Sequence, residues 1–172
     1  MECISDKDLS IISFQLERKI DNAICVLKRC SYGFPVVILS YPIRDGKPFP
    51  TIHYLTCPYL RKEVSKLEER GFIKKYEEII ENSPELKARL VSAHDDVVQK
   101  RISLLKPTDI VWKDMLSSVG SGGIRNRSTI KCLHLHLADF LAGIDNPVGE
   151  MVYNQIEKKE CIDGICGGFK KE

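Results

Sequence analysis

Several features that would point directly to a function are missing from this sequence. Its 26 basic and 24 acidic residues leave a net charge of +2, so neither sign is in excess to attract nucleic acid or an anionic membrane. The longest apolar run, FPVVILSYP, is far too short to cross a bilayer. The N-terminal MECISDKDLS is polar and has no secretory signal. We therefore expect a cytoplasmic protein with neither a membrane nor a nucleic-acid partner.

Two common binding signatures are missing as well. The chain has no CxxC hairpin of the zinc-ribbon type and no Gly-Lys-Ser/Thr phosphate loop. It nevertheless carries seven cysteines, which a cytoplasmic protein is not expected to join in disulfides. A thiol can then serve as a metal ligand, as a nucleophile or as a buried apolar side chain. The cysteines are Cys3, Cys25, Cys30, Cys57, Cys132, Cys161 and Cys166.

The hydrophobic pattern predicts an α+β fold. The length of 172 residues fits one domain over 1–172, and 43% hydrophobic with 29% charged residues is typical of a globular protein. Three apolar segments are typical of strands, and the turn signals SYGF and RDGKP separate them. We predict a small three-stranded antiparallel sheet from NAICVLKRC, PVVILSYPI and FPTIHYLT.

Helical spacing dominates the remainder of the chain. One helix is predicted over 5–19, and everything after Cys57 except the loops and the C-terminal end is predicted to be helical. We expect about six helices, covering the sheet on one side. A flexible tail is predicted over 158–172.

Cys57 lies where the third strand is expected to meet a helix. Because Pro58 suits the first position of a helix, Cys57 is expected at or near the N-cap, where free N–H groups and the helix dipole favour a thiolate. This makes Cys57 a candidate nucleophile or metal ligand. Cys30 follows the first strand, and in a meander the first and third strands end at the same edge. Cys30 and Cys57 are therefore expected at one end of the sheet.

The late helix predicted over STIKCLHLHLADFLAG offers a second group of ligand-type residues. At helical spacing Cys132, His136 and Asp139 lie along one stripe, whereas His134 falls on nearly the opposite side. His136 is therefore the expected neighbour of Cys132 if the helix includes Cys132. If the helix begins later, His134 takes that place. The alternative for both residue types is a buried thiol and a hydrogen-bonded histidine.

The segment GSGGIRNRST precedes this helix. Arg125 and Arg127 supply positive charge, and Ser128 is placed to cap the helix. Free amides at a helix N-terminus beside arginines are typical of an anion-binding pocket, so a small anionic ligand is an expected partner. A mobile loop between helices is the alternative.

Three blocks of the chain resemble a known bacterial family. The blocks are DGKPFPTIHYLTCPYL, GGIRNRSTIKCLHLHLADFLAG and NPVG. They are similar to motifs of the domain-of-unknown-function family numbered 501, and the resemblance covers about residues 15–155. The resemblance implies no mechanism. It does imply that Cys30, Cys57, Cys132 and His134 are the motif positions, with His136 less firmly placed. The family's second cysteine soon after the first is replaced here by CSYG.

Three hypotheses follow from these patterns. In the first, the protein binds zinc or an iron–sulfur cluster beside the segment GSGGIRNRST, which we call the Gly-Arg loop. The ligands are Cys30, Cys57 and Cys132 with His134 or His136. In the second, Cys57 is the nucleophile of a thiol enzyme. In the third, the cysteines are core residues of a non-catalytic module that binds a protein partner. Whether the protein is an enzyme is left open.

Overall fold

A computed structural model describes residues 2–168 of the chain. Its strands are β1 (Glu2–Cys3), β2 (Ala23–Arg29), β3 (Pro35–Ser40), β4 (Ile43–Arg44), β5 (Lys47–Pro48) and β6 (His53–Leu55). Its α-helices are α1 (Asp6–Leu16), α2 (Pro58–Glu69), α3 (Phe72–Glu81), α4 (Pro84–Ser103), α5 (Lys113–Ser117), α6 (Leu133–Leu141) and α7 (Pro147–Gln155). Short 3-10 helices cover Pro107–Trp112, Ser121–Gly123 and Ile165–Gly168.

The main sheet is antiparallel, with strand order β1-β2-β3-β6. The α+β class and the meander of three strands are confirmed, and the two-residue β1 adds an edge strand that was not predicted. Seven α-helices are described, one more than expected. None of the described helices has both the length and the apolar character needed to cross a membrane.

Strand β3 is buried along its whole length because helices cover both faces of the sheet. Ile38 packs with Ile12 of α1 on one face, whereas Leu39 packs with Val97 of α4 on the other. Successive side chains of a strand point to opposite faces, which explains the continuous apolar run. The prediction of helices on one side only was wrong, since α1 covers the second face.

The predicted turn RDGKP forms the β4–β5 hairpin. Asp45 and Gly46 both have positive φ, of 51° and 70°, as a two-residue turn of this type requires. Phe49 N–H then donates to the carbonyl of Pro42 at 2.8 Å, so the chain re-enters the main sheet at β6 in a defined direction.

Helix α1 begins with a capping box. The Asp8 N–H donates to Ser5 Oγ at 3.1 Å, and the Ser5 N–H donates to Asp8 Oδ2 at 3.2 Å. Arg29 of β2 donates to Asp8 Oδ1 at 2.7 Å. Arg29 holds the pKa of Asp8 at about 2, below its ordinary 3.8. This contact joins α1 to the sheet.

We expect Asp8→Asn to lower the free energy of unfolding by about 1 kcal/mol at pH 7, because the charged partner of Arg29 is lost and Arg29 is partly solvated. Since the folded-state pKa is depressed, the stabilisation is complete above about pH 4 and is lost as pH falls toward about 2. Urea unfolding at several pH values measures this. Asp6→Asn, an exposed residue in the same turn, is the control. An equal loss in both variants, or a loss independent of pH, would contradict the role of the ion pair.

Candidate functional site

Helix α6 begins later than its sequence pattern predicts. Its first residue is Leu133, and Cys132 is the extended N-cap residue. Because Cys132 lies outside the helix, the predicted stripe with His136 does not form. The residue that approaches Cys132 is His134, which the sequence pattern allowed for a late start of the helix.

Three side chains at this helix start bring ligand-type atoms together. A sulfur of Cys132, a ring nitrogen of His134 and a carboxylate oxygen of Glu68 all lie within 4.8 Å of one another. It is the only such group of three among the residues that the structure describes. Glu68 of α2 also receives the Leu133 N–H at 2.6 Å, so α2 positions the start of α6. Glu68 was not identified from the sequence, because it lies in α2, far along the chain from Cys132 and His134.

The hydrogen bonds of His134 indicate which of its nitrogens is free for a cation. Its Nε2 lies 3.1 Å from the carbonyl oxygen of Arg61, which can only accept, so Nε2 carries the hydrogen. In a neutral ring Nδ1 is then unprotonated, and it lies 3.2 Å from Glu68 Oε1. Two electron-rich atoms at that distance repel unless a proton or a metal ion lies with them. An N–H to a backbone carbonyl on the opposite nitrogen is typical of a metal-bound histidine.

The thiol of Cys132 is held in a mixed environment. Burial raises its pKa above the ordinary value of 9.0, although the backbone N–H groups of Leu135 and His134 act in the opposite sense. The negative charge of Glu68 also raises this pKa. A thiolate is therefore disfavoured here unless a cation accompanies it.

The group opens into a cleft of about 510 Å³ at the β6 edge of the sheet. Three of its lining residues are basic: Arg18, Arg61 and Lys131. Lys131 donates to the carbonyl of Gly122 at 3.0 Å, so its ammonium group is held at the cleft by the glycine loop. Three basic side chains thus lie at the cleft beside Cys132, and the predicted Arg125 and Arg127 are not among them.

His53 also lines this cleft and is held from behind by a buried network. Its Nδ1 lies 2.8 Å from Asp139 Oδ1, and Ser121 Oγ donates to Asp139 Oδ2 at 2.6 Å. Since Asp139 accepts at Nδ1–H, Nε2 is the basic nitrogen of a neutral ring. His53 was not among the candidate residues identified from the sequence. The structure adds that it is oriented by a carboxylate and lines the cleft.

His136 lies outside this group. It is fully buried, its Nδ1 receives the Asn146 amide at 3.0 Å, and its ring contacts that of His94 edge-on at 5.7 Å. Burial lowers its pKa to about 4, so it is neutral. Among the described residues its Nε2 has no hydrogen-bond partner.

Cys30 and Cys57 line a different cavity. The expected proximity at one end of the sheet is present, because both residues line a cavity of about 170 Å³. Cys132 lines the cleft instead, and the described residues hold no group within 4.8 Å that joins it to Cys30 and Cys57. Two cysteines that were not among the predicted site residues, Cys161 and Cys166, line the cavity with Cys30 and Cys57. Their CIDGIC spacing was the sequence signal for this.

Cys57 does precede Pro58 at the start of α2 as predicted, but its thiol is not activated. The N–H groups of Leu60 and Tyr59 lower its pKa, yet burial outweighs them and raises the pKa to about 11. The expected depression of the pKa was therefore wrong. This argues against Cys57 as a nucleophile.

The Gly-Arg loop is packed rather than open. Arg127 pairs with Asp95 of α4, and Arg125 lines a separate surface cavity. The Ser128 N–H donates to Asn126 at 3.1 Å, and Ser128 does not cap α6 because that helix begins at Leu133. Arg125, Arg127 and Ser128 therefore do not converge on one helix N-terminus.

The comparisons with known proteins identify the family but no activity. A family model described as "Protein of unknown function (DUF501)" matches residues 26–154, which is most of the chain. No curated protein and no solved structure matches the chain.

Proposed function

We propose that this chain, which belongs to the DUF501 family, binds a divalent transition metal through Glu68, Cys132 and His134 and presents it to a small anionic ligand. The single observation that supports this most strongly is the approach of three chemically suitable donors within 4.8 Å. Of the ligands predicted from the sequence, this proposal keeps Cys132 and His134 and leaves out Cys30 and Cys57. Glu68 is the added ligand.

The donor set suits zinc. Thiolate, imidazole and carboxylate are its usual protein ligands, and a site with three protein ligands keeps a fourth position for water or substrate. All three side chains are partly exposed, so the fourth position is reachable from the cleft. We assign Nδ1 of His134 as the nitrogen that binds the metal, because Nε2 is held by the Arg61 carbonyl.

The cleft favours a ligand of negative charge. Arg18, Arg61 and Lys131 line it, and a bound metal would add further positive charge. A small compound with a carboxylate or phosphate group fits this chemistry. His53 lines the same cleft, and Asp139 leaves its Nε2 basic, so we assign His53 the role of accepting a proton from a water or ligand bound there.

We expect Cys132→Ser to lose one zinc ion per chain relative to the wild type, or to weaken zinc binding at least about tenfold, because the thiolate ligand is removed. Isothermal titration of zinc into reduced, chelator-treated protein measures both quantities. Cys25→Ser is the control, since Cys25 is buried in β2 away from the cleft. Equal zinc stoichiometry and affinity in the wild type and Cys132→Ser would refute the proposal.

Glu68→Gln separates the structural role of Glu68 from its ligand role. A glutamine oxygen still accepts the Leu133 N–H, so α6 is expected to remain in place, while zinc affinity falls because the anionic oxygen is gone. Circular dichroism during thermal unfolding reports the fold. A loss of zinc that accompanies a loss of folded structure in Glu68→Gln would indicate that Glu68 only caps α6.

Thiol chemistry at Cys132 is a second candidate function, because the thiol is partly exposed and lines the cleft. Alkylation with iodoacetamide distinguishes the two. Under the metal proposal zinc protects Cys132 from alkylation, whereas a nucleophilic Cys132 would react faster than the other thiols with or without zinc.

A further inference from the structure

We propose that a second centre, an iron–sulfur cluster, is bound in the 170 Å³ cavity by Cys30, Cys57, Cys161 and Cys166. This centre is separate from the proposed zinc site, shares no residue with it and does not depend on it.

Three distant parts of the chain bring these thiols to one cavity. Cys30 follows β2, Cys57 precedes α2, and Cys161 and Cys166 lie in the segment after α7. The remaining cysteines whose side chains the structure describes, Cys25 and Cys132, do not line the cavity. Cys30, Cys57, Cys161 and Cys166 are free thiols, so no disulfide accounts for the convergence.

Polar contacts hold the C-terminal segment over the cavity. The Ser31 N–H donates to Glu160 at 2.9 Å, the Tyr32 hydroxyl donates to the carbonyl of Ile162 at 2.7 Å, and the Tyr59 hydroxyl donates to the carbonyl of Lys158 at 3.1 Å. The predicted tail over 158–172 thus makes defined contacts in its described part. Its last residues lie outside the described residues.

The orientation of this segment is not the one that apolar burial alone would select. Cys166 is 5% exposed, whereas its neighbour Ile165 is 44% exposed and Ile162 is 77% exposed. Isoleucine gains more than cysteine from leaving water, so burying the thiol and exposing the isoleucines needs another cause. A cofactor that binds the thiols supplies that cause.

Burial raises the pKa of Cys57 and of Cys166, so a thiolate at either position needs a bound cation. Gln15 Nε2 donates to Cys166 Sγ at 3.2 Å. Such donors stabilise cluster thiolates and tune their potential. Gln15 is only 3% exposed, lines the cavity, and its Oε1 has no partner among the described residues. The basic side chains Lys28, Arg29 and Lys159 and the acidic Glu160 also line the cavity, and Arg29 is paired with Asp8. Positive charge is therefore in excess around the proposed cluster.

In this structure the four thiols are not close enough together to hold a single zinc ion. Zinc with Zn–S bonds of about 2.3 Å brings its four sulfurs to about 3.8 Å from one another. Among the described residues no three of these sulfurs lie within 4.8 Å of one another. An iron–sulfur cluster with four cysteine ligands spreads them over several atoms of iron and sulfide, and the cavity has the volume for such a group.

The test uses the full chain, purified without oxygen and reconstituted with ferrous iron and inorganic sulfide. We expect iron and acid-labile sulfide to be retained after gel filtration, with the broad visible absorption of a cluster that dithionite bleaches. Cys161→Ser/Cys166→Ser is expected to retain at least about tenfold less iron, because half of the ligands are lost. Cys132→Ser is the control and should retain the cluster in full.

Two outcomes would overturn this proposal: iron retention in the double variant equal to the wild type, or a wild type that retains zinc but no iron on these cysteines. Cys161→Ser alone, at a partly exposed position, is a second variant in case the double variant does not fold. The reciprocal pattern separates the two centres, since Cys132→Ser loses zinc and keeps iron. Failure of either proposal therefore leaves the other intact.

Discussion

Gly149→Ala is expected to lower the free energy of unfolding by about 3 kcal/mol or more. A Cβ atom at this position would lie 2.2 Å from the carbonyl oxygen of His136 and 2.5 Å from Cβ of Phe140. Both neighbours belong to α6, so α7 could accommodate the methyl group only by moving away from that helix. Glycine in the NPVG block thus permits the close approach of α6 and α7.

Urea denaturation followed by circular dichroism measures this effect. Helix propensity alone predicts the opposite sign, because alanine in a helix is about 1 kcal/mol better than glycine. Gly143→Ala is the matched control: its Cβ meets nothing within 4 Å, but its φ of +93° disfavours alanine, so a loss of about 1 kcal/mol is expected. Equal losses at Gly149 and Gly143 would show that helix contact is not the cause.

Arg101→Met is expected to lower the free energy of unfolding by about 3–5 kcal/mol. Arg101 is fully buried, and its guanidinium donates to four backbone carbonyls. The acceptors are Pro50 at 2.8 Å, Gly120 at 3.1 Å, and Leu116 and Val119 at shorter distances. Methionine fills much of the volume but leaves these carbonyls without donors. Burial lowers the pKa of Arg101 to about 10, so the group is still charged at neutral pH.

The same denaturation experiment applies, with amide hydrogen exchange of residues 116–124 as the local measurement. Lys100→Met, the preceding residue of α4, is expected to change stability by no more than about 0.5 kcal/mol. Arg101→Lys retains charge and up to three donors, so an intermediate loss is expected. A loss in Arg101→Met no larger than that of Lys100→Met would contradict the role assigned to these hydrogen bonds.

Arg101 also connects stability to the candidate site. It holds Gly120, and the next residue, Ser121, donates to Asp139, which orients His53 at the cleft. A variant that loosens the glycine loop is therefore expected to disturb His53 before it unfolds the chain. The loop was interpreted from the sequence as either an anion pocket or a mobile connection, and its packing role was not visible there.

The sequence by itself determined the local features of this protein. Caps and turns are formed by residues within a few positions of one another, so their sequence patterns predict them directly. The examples here are Ser5 with Asp8, the Asp45–Gly46 turn and Pro58. The buried central strand followed from its continuous apolar run. The family resemblance also came from contiguous motifs, and the family model confirms it.

Only the tertiary structure decided which side chains meet. Glu68 and His134 are 66 residues apart and come together because α2 packs against the start of α6. Because α6 begins late, His134 and not His136 is the histidine beside Cys132. The first residue of a helix depends on capping contacts, and here Glu68 of α2 supplies one to Leu133. Cys161 and Cys166 line the same cavity as Cys30 and Cys57 because the segment after α7 folds back onto the turn that follows β2. Spacing along a chain identifies residues on one face of one element, whereas a site made from several elements depends on how those elements pack.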